Sequence, residues 1–84
     1  MANTIHIQLN SVDEAKDFVR KVSAFLDDVN IYDYSVTIDG KDIEGIIKLG
    51  LGKLVEVELI SDDIDALYDF KQVISKFRYS RRER

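Results

Sequence analysis

The sequence predicts an α+β domain with one four-stranded antiparallel sheet and three helices on a single face. Segments in which apolar and polar residues alternate are typical of strands with one buried face. They are separated by segments whose apolar residues recur every three or four positions, which is typical of amphipathic helices. In chain order the segments follow β-α-β-β-α-β-α. The polar row on each strand indicates that the other face of the sheet stays open to solvent.

Composition limits the class of protein. The 84 residues suit one small domain, and the contents of 45% hydrophobic and 33% charged residues are those of a soluble globular chain. The chain has no cysteine, which excludes disulfides and thiolate sites. No apolar run approaches the roughly 18–20 residues of a membrane span, and the N-terminus lacks a signal-peptide pattern. We therefore expect a cytoplasmic protein that does not enter the membrane.

The net charge of −4 is unevenly distributed. Residues 78–84 hold four Arg and one Glu and form a basic C-terminal tail. Residues 1–77, the predicted domain, hold 8 Lys/Arg against 15 Asp/Glu, a net charge of −7. Such a domain is a poor binder of nucleic acid. The tail, with Arg81, Arg82 and Arg84, is either a solvated terminus or a contact for RNA or an acidic partner.

The first strand is predicted over residues 4–9, where Ile5, Ile7 and Leu9 alternate with His6 and Gln8. His6 is the only histidine of the chain and falls on the polar face. We expect no metal or catalytic role for it, because it has no Cys or His partner.

The first helix is expected to begin after Ser11, because Ser-x-x-Glu before an apolar run is a capping box. In that arrangement the Ser11 hydroxyl accepts a hydrogen bond from the N–H of Glu14, and the Glu14 carboxylate accepts one from the N–H of Ser11. The helix should end near Asp27-Asp28. Its apolar stripe consists of Val12, Ala15, Phe18, Val19, Val22, Phe25 and Leu26.

The middle of the chain predicts a hairpin and a short helix. Residues 29–38 are long enough for two strands that turn near residues 33–35. After the turn signal at Asp39-Gly40, Asp42 is a candidate N-cap, and Gly50 and Gly52 are candidate stops for a helix of about two turns. Gly45 inside this helix costs about 1 kcal/mol relative to alanine, so we expect a packing reason for it.

The last third predicts a strand and a helix. Residues 54–60 alternate, with Glu56 and Glu58 on the polar side. Ser61-Asp62-Asp63 then supplies a cap and first-turn acids for a third helix that ends near Phe77. The apolar stripe of that helix consists of Ile64, Leu67, Phe70, Val73, Ile74 and Phe77.

This element order, with these segment lengths, resembles the histidine-containing phosphocarrier (HPr) family of the sugar phosphotransferase system, from Ile5 to Phe77. The best local match is residues 41–53, KDIEGIIKLGLGK, which resembles the family stretch KSIMGVMSLGIAK. The mid-helix glycine, Gly45, is part of that match. The resemblance implies an HPr-like open-faced sandwich formed by a single domain over residues 1–77.

The family motif G-x-H-x-R-P, whose histidine accepts phosphate from a phosphoenolpyruvate-dependent donor protein, is not matched. Alignment on Phe18-Val19 places Ser11 at the carrier histidine, Asp13 at the arginine and Glu14 at the proline. Two carboxylates repel a dianion, and a serine without a base is a weak nucleophile. The resemblance therefore implies a degenerate member with no catalytic residue, which is neither an enzyme nor a phosphocarrier.

Two further family features fall on the second helix. Asp42 takes the position of the regulatory serine, where it either simply caps the helix or also imitates the phosphorylated state. The partner surface of the family matches Ile43, Glu44 and Ile47, with Glu44 in place of an apolar residue. This surface either persists with changed specificity or is mostly core. The implied partners are proteins of the phosphotransferase system or a regulator.

Together these observations favour a non-catalytic binding or regulatory module without cofactor or metal. The polar sheet face favours a monomer, because it suits a large obligate interface poorly. Two alternatives stay open. One is a true phosphocarrier that uses Ser11 as an unusual acceptor, and the other is a small-molecule-binding regulatory domain with a ferredoxin-like arrangement.

Overall fold

The computed structural model describes residues 4–79. Its elements in chain order are β1 (Thr4–Gln8), α1 (Val12–Val22), β2 (Val29–Asp33), β3 (Val36–Asp39), α2 (Ile43–Leu49), β4 (Leu54–Leu59), α3 (Ile64–Val73) and a 3₁₀ turn (Ser75–Phe77). The four strands form one sheet in the order β1-β4-β2-β3, with every neighbouring pair antiparallel. The predicted α+β class and element order are confirmed.

The core lies between one face of the sheet and the three helices. Val57 on the central strand β4 pairs with Ile5 of β1 on one side and with Ile31 of β2 on the other, and all three side chains are buried. The same buried cluster includes residues from every α-helix, among them Phe18 of α1, Ile46 of α2 and Phe70 of α3. All three helices therefore cover the same face.

The opposite face of the sheet is polar. His6, Glu56, Tyr32 and Thr37 follow one another in register across β1, β4, β2 and β3. His6 Nε2 lies 3.0 Å from a carboxylate oxygen of Glu56. The Tyr32 hydroxyl donates to Glu58 at 2.6 Å, and this hydrogen bond raises the pKa of Tyr32. None of these side chains is fully buried, so the face is open to solvent.

Helix α1 ends at Val22, several residues before the predicted stop at Asp27-Asp28. Two N–H groups of the following turn bond three residues back, which tightens the chain out of the helix. The helical phase is lost there, so Leu26 is fully exposed and its prediction as part of the stripe is wrong. Phe25 remains half-buried, and its ring meets that of Phe70 edge-on at 5.4 Å.

The first residues of α1 and α3 also differ from prediction. Val12 and Ile64 were expected in the apolar stripes, yet both side chains are exposed. Each precedes a buried phenylalanine, Phe18 or Phe70, by six residues. Because a helix advances about 100° per residue, these positions point about 120° away from the buried ring. The predicted stripes were therefore too wide at their first turn.

The chain after the 3₁₀ turn returns to the edge of the sheet. Arg78 forms an antiparallel bridge with Ile7, and the N–H of Tyr79 donates to the carbonyl of His6 at 2.9 Å. The first two residues of the predicted tail, 78–84, thus pair with β1. The rest of that tail, with its three arginines, lies outside the described residues.

Among residues 4–79, no helix has the length and apolar character needed to cross a membrane.

An ion-pair cluster joins α1 to the 3₁₀ turn. The Asp17 carboxylate accepts from Lys76 Nζ at 3.0 Å and also contacts Arg20 and Lys21. The hydrogen bond from Lys76 lowers the pKa of Asp17, and the nearby positive charges add to this against an opposing effect of desolvation.

We expect Asp17→Asn to reduce stability at neutral pH, and we expect the difference from wild type to shrink in acid. The folded pKa of Asp17 lies below its ordinary value of 3.8, so its contribution is fully present above the unfolded pKa. It is lost as the pH falls through the folded pKa. Melting temperatures of both proteins from neutral to strongly acidic pH test this. A difference that persists unchanged in acid would show that the carboxylate charge is not the cause.

Candidate functional site

The start of α1 is closed by hydrogen bonds within the chain. The Ser11 hydroxyl accepts from the N–H of Glu14 at 3.1 Å, as predicted. The returning bond differs from the prediction, since Glu14 Oε1 accepts from the N–H of Asn10 at 2.8 Å rather than from Ser11. The backbone of Ser11 is extended, with φ −150° and ψ 164°, and this directs the N–H before the cap toward the carboxylate.

The charges at this corner are unfavourable for an anion. Asp13 and Glu14 stand in the first turn of α1, and both are exposed. The cations Arg20 and Lys21 lie in the last turn, where they contact Asp17. A helix N-terminus ordinarily attracts an anion through its free N–H groups and dipole. Here Asp13 and Glu14 already place two negative charges in the first turn, and an incoming dianion would meet both.

Ser11 also lacks an activating base. Among the hydrogen bonds of residues 4–79, its hydroxyl takes part in one, accepted from the N–H of Glu14. His6 lies on the open sheet face, where its imidazole contacts Glu56. A serine hydroxyl needs an adjacent general base or a comparable activating group to act as a nucleophile.

The end of α2 lies beside the start of α1. The N–H of Gly52 donates to the carbonyl of Leu9 at 2.7 Å, and the Gln8 side chain donates to the carbonyl of Gly52 at 2.9 Å. Gly50 and Gly52 have φ values of 119° and 83°, which side-chain-bearing residues rarely adopt. They end α2 as predicted and return the chain toward β1, which brings the end of α2 beside the start of α1.

Asp42 caps the other end of α2. Its carboxylate accepts from the N–H of Glu44 at 3.1 Å, and its side chain is exposed. A Cβ at position 45 would lie 3.0 Å from Asp42 Oδ2. Gly45 therefore leaves room for the capping carboxylate, which is the packing reason that the sequence led us to expect.

The predicted partner residues of α2 differ in exposure. Ile47 is 40% exposed and Glu44 is exposed, whereas Ile43 is half-buried against the core. Val12, in the first turn of α1, is a further exposed apolar side chain, which sequence reasoning had assigned to the core. Its angular offset from Phe18 was the signal that could have revealed it. We call Val12, Ile43, Glu44 and Ile47 the α1–α2 surface.

Within the described part of the chain, no group of three or more His, Cys, Asp or Glu is arranged to hold a metal ion.

Comparison with solved structures relates this fold to a known one. The chain is similar to the crystal structure of HPr-C-His from Thermoanaerobacter tengcongensis, with a TM-score of 0.66 and 24% sequence identity over 87% of this chain and 89% of that chain. No protein-family model and no curated protein matches the sequence. The structural likeness shows that the fold is HPr-like.

Proposed function

We propose that this HPr-like chain is a non-catalytic binding or regulatory module that carries no phosphoryl group on α1. The start of α1 is the observation that supports this most strongly. Ser11, the residue that takes the carrier-histidine position in the family resemblance, has its hydroxyl bonded to the N–H of Glu14 and no base beside it. The side chains of Asp13 and Glu14 oppose an incoming phosphate.

The proposed working surface is the α1–α2 surface, used for protein partners of the phosphotransferase system or a regulator in the cytoplasm. Its apolar groups, Val12 and Ile47, are exposed next to the acids Asp13 and Glu44. Exposed apolar groups with a polar rim are typical of protein contact sites. Asp42 contributes a fixed negative charge at the start of α2 as well as its cap, so the surface stays acidic without any modification.

The two alternatives, a phosphocarrier that uses Ser11 and a ferredoxin-like regulatory domain, require different structural features. Transfer to Ser11 requires a base that the start of α1 does not supply. A ferredoxin-like arrangement consists of a β-α-β-β-α-β unit with two helices, whereas a third helix, α3, contributes Phe70 to this core. A ligand-dependent rise in melting temperature would support the small-molecule alternative.

A charge placed on the α1–α2 surface should weaken partner binding. We expect Ile47→Asp to reduce affinity at least about tenfold, because burying a carboxylate in an apolar contact costs more than the about 1.4 kcal/mol of a tenfold change. Partners are first captured on the immobilised full chain from extracts of the source cell, then purified and titrated. Ile43→Asp is a second variant at the same surface.

Ile60→Asp is the matched control, since Ile60 is 44% exposed and follows β4, so it belongs to neither α1 nor α2. Binding that survives both α2 variants, or that Ile60→Asp weakens equally, would remove the α1–α2 surface as the docking site.

A further inference from the structure

The outer edge of β1 carries a depression that the proposed function does not use. The pairing of Arg78 with Ile7 and of Tyr79 with His6 holds the C-terminal segment against this edge. Lys71, on α3, lines the same depression, whose volume is about 490 Å³. This volume lies within the range of small-molecule sites, about 300–1,000 Å³.

The lining of this depression is basic in an acidic molecule. It includes Lys71 and Arg78 and no carboxylate. Among residues 4–79, neither cation lies within 4.0 Å of a carboxylate, whereas Lys53 and Lys76 are each paired with an aspartate. Both side chains are exposed and neither is paired with a carboxylate of the described residues, so both are available to bind an anion.

Two planar side chains accompany these cations. Tyr79 and His6 line the depression, and both are exposed. A tyrosine ring provides a stacking surface for a nucleobase, and lysine and arginine bind phosphate. The His6 imidazole is held through Nε2 by Glu56 at 3.0 Å, so we assign it a ring surface rather than a phosphate contact.

We propose that this β1-edge depression binds a mononucleotide, with the phosphate at Lys71 and Arg78 and the base on Tyr79. A longer nucleic acid is disfavoured, because a polyanion that continued across the open face would meet Glu56 and Glu58. None of its lining residues belongs to the α1–α2 surface, so its test is independent of the test for that surface.

Adenosine monophosphate is the probe, titrated into the full ¹⁵N-labelled chain and followed by backbone amide shifts. We expect saturable shifts at His6, Lys71 and Tyr79, with tighter binding than for adenosine or inorganic phosphate alone. Lys71→Glu combined with Arg78→Glu should weaken binding at least about tenfold, and Tyr79→Ala should weaken it about tenfold for the nucleotide but leave phosphate binding unchanged.

The matched control is Lys16→Glu combined with Lys48→Glu, which makes the same change in net charge on α1 and α2 and should keep the affinity. The absence of saturable shifts, or an equal loss in this control, would overturn the site. If adenosine or phosphate binds as tightly as the nucleotide, the proposal that the site recognises both base and phosphate is wrong. A short RNA that binds more tightly than the nucleotide would overturn the choice of a single nucleotide.

Discussion

Phe18→Ala should remove most of the free energy of unfolding in buffer at 25 °C. The side chain of Phe18 is 0% exposed, and its ring meets that of Phe77 edge-on at 5.5 Å. Truncation of a buried phenylalanine costs about 3–5 kcal/mol. A single core of this size provides a free energy of unfolding of only about 5 kcal/mol, so the variant loses most or all of it.

Urea unfolding followed by circular dichroism measures this loss. Tyr68→Ala is the control, because Tyr68 is an exposed aromatic residue of α3 and its truncation should change stability by less than about 0.5 kcal/mol. Phe18→Leu should fall between the two, since it leaves a smaller cavity. A loss below about 1 kcal/mol for Phe18→Ala would mean that α1 does not pack on the sheet as described.

Residue spacing predicted the strands and helices because each of them buries one side against the core. In β4, Val55, Val57 and Leu59 are buried while Glu56 and Glu58 are not, which is the alternation that the sequence shows. The cap of α2 at Asp42 and its end at Gly50 followed from local chemistry and are confirmed. Such signals depend on a few neighbouring residues, so they survive without knowledge of the tertiary structure.

The exposure of several apolar residues could not be predicted from their spacing alone. Val12, Leu26 and Ile64 are apolar at permitted intervals, but their exposure depends on helical angle and on where the helix ends. The pairing of Arg78 with Ile7 had no sequence signal at all, because it depends on the reversal after the 3₁₀ turn. The β1-edge depression, which Arg78 helps to line, could therefore not be predicted from the sequence.

Of the two hydrogen bonds predicted for the capping box at the start of α1, the first is confirmed and the second has a different donor. The bond between the Ser11 hydroxyl and the N–H of Glu14 follows from local spacing. The bond from Asn10 to Glu14 depends on the backbone before the cap, which spacing does not specify. With either bond, the Glu14 carboxylate lies in the first turn of α1, where it repels a bound phosphate.

A phosphoryl-transfer assay tests whether the start of α1 only stabilises the helix or also accepts a phosphoryl group. The full chain is incubated with phosphoenolpyruvate and the purified donor protein, beside a histidine-containing carrier as the positive control. Ser11→Ala serves as the blank, because it removes the alternative acceptor. Intact mass and radiolabel then report the fraction of each protein that carries a phosphoryl group.

We expect the histidine-containing carrier to be labelled, and this chain to remain at the level of the Ser11→Ala blank. The reason is that the Ser11 hydroxyl has no base and stands beside Asp13 and Glu14. Label on Ser11 that disappears in Ser11→Ala, or label on His6, would establish a phosphocarrier and end the interpretation of this chain as a non-catalytic module.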